Sequence, residues 1–140
     1  MSKAENSCIF CIKSNCKIVE EKKFFFIIRD TDYPVTKHHT LIISNRHIDD
    51  YFKLTSEELN ELNQILKEQK EKLKLLDSTI SGYNVGVNVG KDAGQSIMHC
   101  HIHLIPRRKG DVDDPKGGVR GVIPSCLLYT SDAADDLVCV

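Results

Sequence analysis

The chain has 140 residues, 19 basic against 20 acidic, a formal net charge of -1 and 41% hydrophobic residues. That length supports one domain with a real core, and the near-neutral charge excludes a broad electrostatic grip on nucleic acid. No apolar run approaches membrane-spanning length, and the opening MSKAENSC lacks the apolar stretch of a secretion signal, so a cytoplasmic protein with reduced cysteines and no membrane partner is expected.

In chain order, Cys8-Ile9-Phe10-Cys11 comes first. Two thiolates at this spacing can chelate zinc if two further ligands arrive from elsewhere; a redox dithiol and a pair of small buried residues are the other readings of the same motif. Residues 24–28, Phe-Phe-Phe-Ile-Ile, have the length and composition of a buried strand and lead into turn chemistry at Asp30-Thr31-Asp32-Tyr33-Pro34. Residues 40–43 read as a second strand, closed by Ser44-Asn45-Arg46-His47. Thr55-Ser56-Glu57-Glu58 is a capping box, in which hydroxyl and carboxylate satisfy orphan amides at a helix start. Leu59, Leu62, Ile65, Leu66, Leu73 and Leu76 follow at helical spacing, which predicts one long helix with an apolar stripe. Residues 82–89 alternate Tyr83, Val85, Val87 and Val89 against Asn84, Gly86 and Asn88, a strand pattern that ends at Gly90. A glycine-containing loop over residues 90–95 leads to the last strand. The pattern is a compact α+β unit.

That last strand carries the chemistry. His99-Cys100-His101-Ile102-His103-Leu104-Ile105 alternates histidine with apolar residues, so an extended chain puts three imidazoles on one face and Cys100, Ile102 and Leu104 on the other. Imidazole titrates nearest neutrality, and a row of three can supply nucleophile, proton donor and metal ligand together.

Gly94-Gln95-Ser96-Ile97-Met98-His99-Cys100-His101-Ile102-His103, with Asn88 before it, resembles the signature of the histidine triad (HIT) superfamily. The resemblance runs from CIFC at Cys8 through HTLII at His39 to Gly110-Asp111 and Gly117-Gly118-Val119-Arg120. It implies a HIT domain over residues 1–124: an antiparallel sheet of about five strands, one long helix and a short second helical element, usually homodimeric. It also implies cleavage or transfer of nucleotides at the α-phosphate. In the zinc-containing bacterial branch, which this chain resembles, the metal would be structural and held by Cys8, Cys11, His47 and His99. Oxygen-seeking Mg²⁺ and Ca²⁺ do not suit such a set. His101 would be the nucleophile that forms a nucleotidyl-histidine, its other ring nitrogen held by a main-chain carbonyl. His103 would hydrogen-bond phosphate oxygens and, when protonated, offset developing charge. Gln95 and Ser96 would donate to the phosphate or the leaving-group bridge, completing the catalytic set. Asn88 and His39 would complete the nucleotide pocket, and Asp30 is the candidate for the ribose hydroxyls, with turn capping as its other reading.

Substrate class divides the superfamily. Arg107-Arg108-Lys109 places three cations just after the triad, which suits a polyphosphate leaving group or a solvated basic turn. Hydrolysis of diadenosine tetraphosphate or a related dinucleoside polyphosphate ranks first, hydrolysis of adenosine phosphoramidates or aminoacyl-adenylates second. A nucleotide-binding regulator with vestigial hydrolysis is the reading from another class. Residues 125–140 resemble nothing in the superfamily, and residues 125–136 read as the in-frame translation of a transposon-end sequencing adapter. They are expected to be a non-native tail.

Overall fold

The computed structural model of the chain describes residues 7–29 and 34–124. Five strands, β1 (Ile18–Glu21), β2 (Phe25–Arg29), β3 (Thr40–Ser44), β4 (Ile80–Val87) and β5 (His101–Arg108), form one antiparallel sheet in the spatial order β1-β2-β3-β5-β4. A 21-residue helix, α1 (Ser56–Leu76), joins β3 to β4. Among the described residues, 3-10 segments lie at Lys13–Asn15, Tyr51–Lys53, Lys91–Ala93 and Gly118–Val122. This is the expected α+β architecture. Residues 125–140 lie outside the described residues, as does Asp30. Among the described residues no helix is long and apolar enough to cross a membrane.

The continuous apolar runs of β2 and β3 follow from burial on both sheet faces. Phe25, Ile27, Ile42, Cys100 and Ile102 pack under Leu54, Leu62 and Ile65 on the helix side. Phe26, Ile28, Leu41 and Ile43 point the other way and are covered by Phe10, with Cys8 and Cys16 packed alongside. The N-terminal segment therefore roofs the face to which the histidines belong.

The capping box of α1 is complete: Glu58 N donates to Thr55 Oγ1 at 3.1 Å and Thr55 N donates to Glu58 Oε1 at 2.9 Å. The leucine stripe is only partly the inner face. Leu62, Ile65 and Leu73 are buried, whereas Leu59 is 36% and Leu76 61% exposed. The buried row runs through Glu58 and Gln69 instead. Gln69 tolerates burial because its amide is spent: Oε1 accepts from Arg29 Nη2 at 2.7 Å and Nε2 donates to Glu20.

Two strand boundaries differ from the pattern. β4 starts at Ile80, because Asp77 Oδ1 closes a turn on Thr79 N at 2.9 Å and leaves Ile80 free to pair with Arg108 and bury. It ends at Val87, so Asn88 lies beyond the ladder. β5 starts at His101 rather than His99. The preceding residue is clasped by the turn after β3: Ser44 N donates to Cys100 O at 3.1 Å and Cys100 N to Ile48 O at 2.6 Å.

Candidate active site and metal centre

The register of the sheet places the histidines. Ile43 pairs with His101 and Leu41 with His103, and on the other side of β5 Gly86 pairs with His103. Directly opposed residues share a face, so His101 and His103 stand on the face roofed by Phe10. Their ring centroids are 5.2 Å apart, and Phe10 meets His101 edge-on at 5.1 Å and His99 at 5.9 Å. Sequence reasoning passed over Phe10. Its position inside the CxxC pair is the signal that would have found it.

His99 does not continue the row as an equal third member. Its Nε2 donates to the backbone carbonyl of Ser44 at 2.7 Å, which turns Nδ1 toward the cysteines. His99 Nδ1 lies 3.4 Å from Cys8 Sγ, 3.5 Å from Cys11 Sγ and 3.2 Å from His47 Nδ1, and His47 Nδ1 lies 3.1 Å from Cys11 Sγ. The four ligand atoms fall within 4.8 Å of one another. A tetrahedral zinc with bonds of about 2.0 Å to nitrogen and about 2.3 Å to sulfur puts neighbouring ligand atoms about 3.3–3.8 Å apart. The four separations of 3.1–3.5 Å lie close to those edges, the whole set falls within 4.8 Å, and two sulfurs with two nitrogens suit zinc. Burial pushes the His99 pKa down, which favours the neutral ring that metal binding requires.

His101 is 8% exposed, and its Nδ1–H donates to the carbonyl of His99 at 2.7 Å. That bond fixes the tautomer and leaves the Nε2 lone pair unprotonated; burial pushes the pKa down, to the same effect. His103 is oriented by a second chain. Val35 N–H donates to His39 Nδ1 at 3.1 Å, so His39 carries its proton on Nε2 and donates it to His103 Nδ1 at 2.9 Å. The remaining His103 nitrogen, Nε2, is then an N–H donor. Burial, with the His101 and His39 rings beside it, pushes the His103 pKa down to about 4. That shift favours the neutral ring, so that the donor role expected of His103 falls to its Nε2–H. The turn that delivers the buried His39 passes through His38 at φ 71°, a left-handed conformation that a non-glycine residue seldom adopts.

This shift has a consequence for stability. The unfolded chain protonates this histidine near pH 6.5 and the folded chain near pH 4, so between those values the unfolded state binds more protons. The contribution is complete above pH 6.5 and is lost as pH falls toward 4, by about 2–3 kcal/mol. Thermal melts across pH 7.5 to 4.5 are expected to slope downward on acidification, and His103→Asn to flatten the slope. An unchanged slope in His103→Asn contradicts the assignment.

The remaining candidates are placed unequally. Ser96 is exposed at the mouth of the histidine strand, and Asn88 is half-buried just past β4. Gln95 is 4% exposed, and its amide is committed internally: Oε1 accepts from Gly90 N at 2.9 Å, and Nε2 donates to Asp49 O at 2.8 Å and Ile97 O at 3.2 Å. It shapes the loop that carries Ser96 rather than presenting a donor. The basic turn is also committed. Arg107 forks onto Asp111 at 2.8 and 2.9 Å and donates to Asn84 at 2.7 Å. Arg108 holds Asp77 at 2.9 and 3.1 Å and Lys37 O at 3.0 Å. Arg107→Gln and Arg108→Gln are therefore expected to lower Tm while changing KM for diadenosine tetraphosphate and for an adenosine phosphoramidate equally, by less than about threefold. A selective rise in KM for the tetraphosphate returns these arginines to substrate binding.

The HIT domain family model matches residues 13–110 of the chain. An uncharacterized HIT-like protein of Methanocaldococcus jannaschii is 35% identical over 115 residues, covering 79% of this chain and 87% of that protein. The asymmetrical bis(5'-nucleosyl)-tetraphosphatase of Schizosaccharomyces pombe is 33% identical over 81 residues, 58% of this chain and 44% of that enzyme. Among solved structures, a zinc-bound histidine triad family protein from Mycobacterium smegmatis aligns with a TM-score of 0.67 and 28% identity, covering 93% of this chain and 99% of that one.

Proposed function

Because the chain belongs to the HIT domain family, we propose that it is a nucleotide hydrolase acting at the α-phosphate, with dinucleoside polyphosphates such as diadenosine tetraphosphate as its first substrates. The observation that carries this reading is the paired state of the two rings: His101 with Nδ1–H spent on a carbonyl and His103 with a neutral N–H beside it. His101 Nε2 attacks the α-phosphorus, forming a P–N bond while the bond to the leaving group breaks. His103 Nε2–H and the Ser96 hydroxyl donate to the oxygens on which charge builds. Water then hydrolyses the P–N bond, releasing the mononucleotide and restoring His101. Asn88 and Asp30 are assigned to the nucleotide, and Gln95 to holding the loop.

Cys8, Cys11, His47 and His99 would hold zinc as a structural ion, all four positions being supplied by protein. When bound it supplies no chemistry to the phosphate; it ties the N-terminal segment, and with it Phe10, over the histidine face.

Likeness to the fission-yeast tetraphosphatase supports the polyphosphate ranking. The commitment of Arg107 and Arg108 to aspartates supports a second reading, hydrolysis of adenosine phosphoramidates or aminoacyl-adenylates, whose leaving groups need no cationic cradle. A panel of diadenosine tri- and tetraphosphate, an adenosine phosphoramidate and an aminoacyl-adenylate, compared by kcat/KM, separates them. The highest value for the tetraphosphate is expected; a phosphoramidate preference of tenfold or more selects the second reading, and negligible turnover of all four selects a nucleotide-binding regulator. A homodimer is also proposed. β4 is a sheet edge, and Val85, Val119, Val122 and Ile123 on or beside it are exposed. Sedimentation at micromolar concentration tests it.

A further inference from the structure

Glu58 is 1% exposed on the inner row of α1, and the cap alone does not account for its charge. A glutamine at that position accepts the Thr55 amide equally well, and burying a carboxylate is costly unless a partner offsets it. The partner is Arg46. Its Nη2 donates to Glu58 Oε1 at 2.7 Å and its Nε to Glu58 Oε2 at 3.1 Å, a two-pronged pair, and Nη2 also reaches Lys53 O at 3.3 Å.

Arg46 sits in the turn that organises two of the four candidate metal ligands. His47 is its neighbour. Ser44 Oγ donates to Arg46 O at 2.8 Å, and the Ser44 carbonyl accepts the His99 Nε2–H that aims Nδ1 at the cysteines. The same turn grips Cys100 through Ser44 N and Ile48 O. One buried carboxylate thus braces the segment that carries one ligand and orients another.

We propose that Glu58 is a positioning residue for the metal centre: through Arg46 it fixes the 44–48 turn, and with it His47 and the carbonyl that orients His99. This rests on the zinc reading above. Groups that orient ligands from outside the metal's own shell are worth about 10–100-fold in metal affinity.

The experiment is the zinc dissociation constant of the full chain, measured by competition with a chromophoric chelator. Glu58→Gln keeps an acceptor for the Thr55 amide but loses the charge and one prong, and is expected to raise the zinc Kd 10–100-fold. Arg46→Met, a change at a half-exposed side chain, is expected to do the same and serves if Glu58→Gln folds poorly. Thr55→Ala removes the hydroxyl half of the cap and leaves the Arg46 pair, so it is expected to lower Tm while keeping the zinc Kd within about threefold. Equal losses of zinc affinity in Thr55→Ala and Glu58→Gln overturn the proposal in favour of plain helix stability. So does a wild-type Kd in both Glu58→Gln and Arg46→Met. A wild-type protein that retains no zinc overturns the metal reading itself, and this inference with it.

Discussion

His101→Ala is expected to abolish turnover, lowering kcat by about 10⁴-fold or more, while nucleotide affinity stays within a few-fold of wild type. The nucleophile contributes chiefly after the complex has formed, and removal of one covalent catalyst from a set that acts as a unit costs several orders of magnitude. The ring is prepared for that role by the carbonyl of His99, 2.7 Å from Nδ1, so the loss is of a pre-oriented, unprotonated Nε2. Rapid-quench trapping with a nucleotide labelled at the α-phosphate is expected to give an acid-labile, base-stable adduct on wild type and none on His101→Ala. His103→Ala is expected to cost less, roughly 10²–10³-fold, as the loss of one donor to developing charge. A wild type without adduct, together with a His101→Ala variant that turns over normally, would mean that water attacks directly.

The shared face of the histidine strand was legible because it depends on period-two alternation, a property of the extended chain itself. The register then put His101 and His103 where alternation said, on one face. What alternation cannot report is where a strand begins. His99 lies one step before the ladder, and its ring is aimed by a carbonyl fifty-five residues earlier in the chain, a contact made by tertiary packing alone. The capping box of α1 was legible for the opposite reason, since both its hydrogen bonds span three residues. The helix stripe was only half right. Gln69 replaces Leu76 on the inner face because Arg29 and Glu20, on two other strands, satisfy its amide. Charge counting at residues 107–109 could not report the partners of the two arginines: Asp77 and Asp111 are set opposite them by the α1–β4 connection and the turn after β5. The His39–Val35 contact that fixes the proton on His103 has no signature in a sequence.

Cys11→Ala is expected to lose zinc and thermal stability together. With zinc at a thousandfold excess over its Kd, binding to the folded state alone contributes about 4 kcal/mol, or roughly 10–15 °C in Tm for a domain of this size. A strong chelator added to wild type is expected to reproduce that drop, and to do nothing further to Cys11→Ala. Chelation also frees the segment that carries Phe10, which packs on His101 at 5.1 Å, so activity of the stripped protein is expected to fall less than in His101→Ala but measurably. Metal analysis that finds no zinc in wild type, or a Cys11→Ala variant with unchanged metal content and Tm, contradicts the assignment.

The clasp between the 44–48 turn and Cys100 has a bearing on how the molecule is made. Its two halves are separated by α1 and β4, and His47 precedes His99 by 52 positions. At about 5–20 residues per second, a ribosome spends roughly 3–10 s between those two histidines. Throughout that interval the emerging chain carries two thiols and one imidazole of the metal set, and neither ring of the catalytic pair. Contacts this distant in sequence form slowly, since the loop they close must be ordered before they contribute anything. When His99 arrives, His101 and His103 follow within four residues. The last of the four candidate metal ligands and both rings of the proposed catalytic pair are therefore made within five consecutive residues, so the two sites become complete in the chain at nearly the same moment.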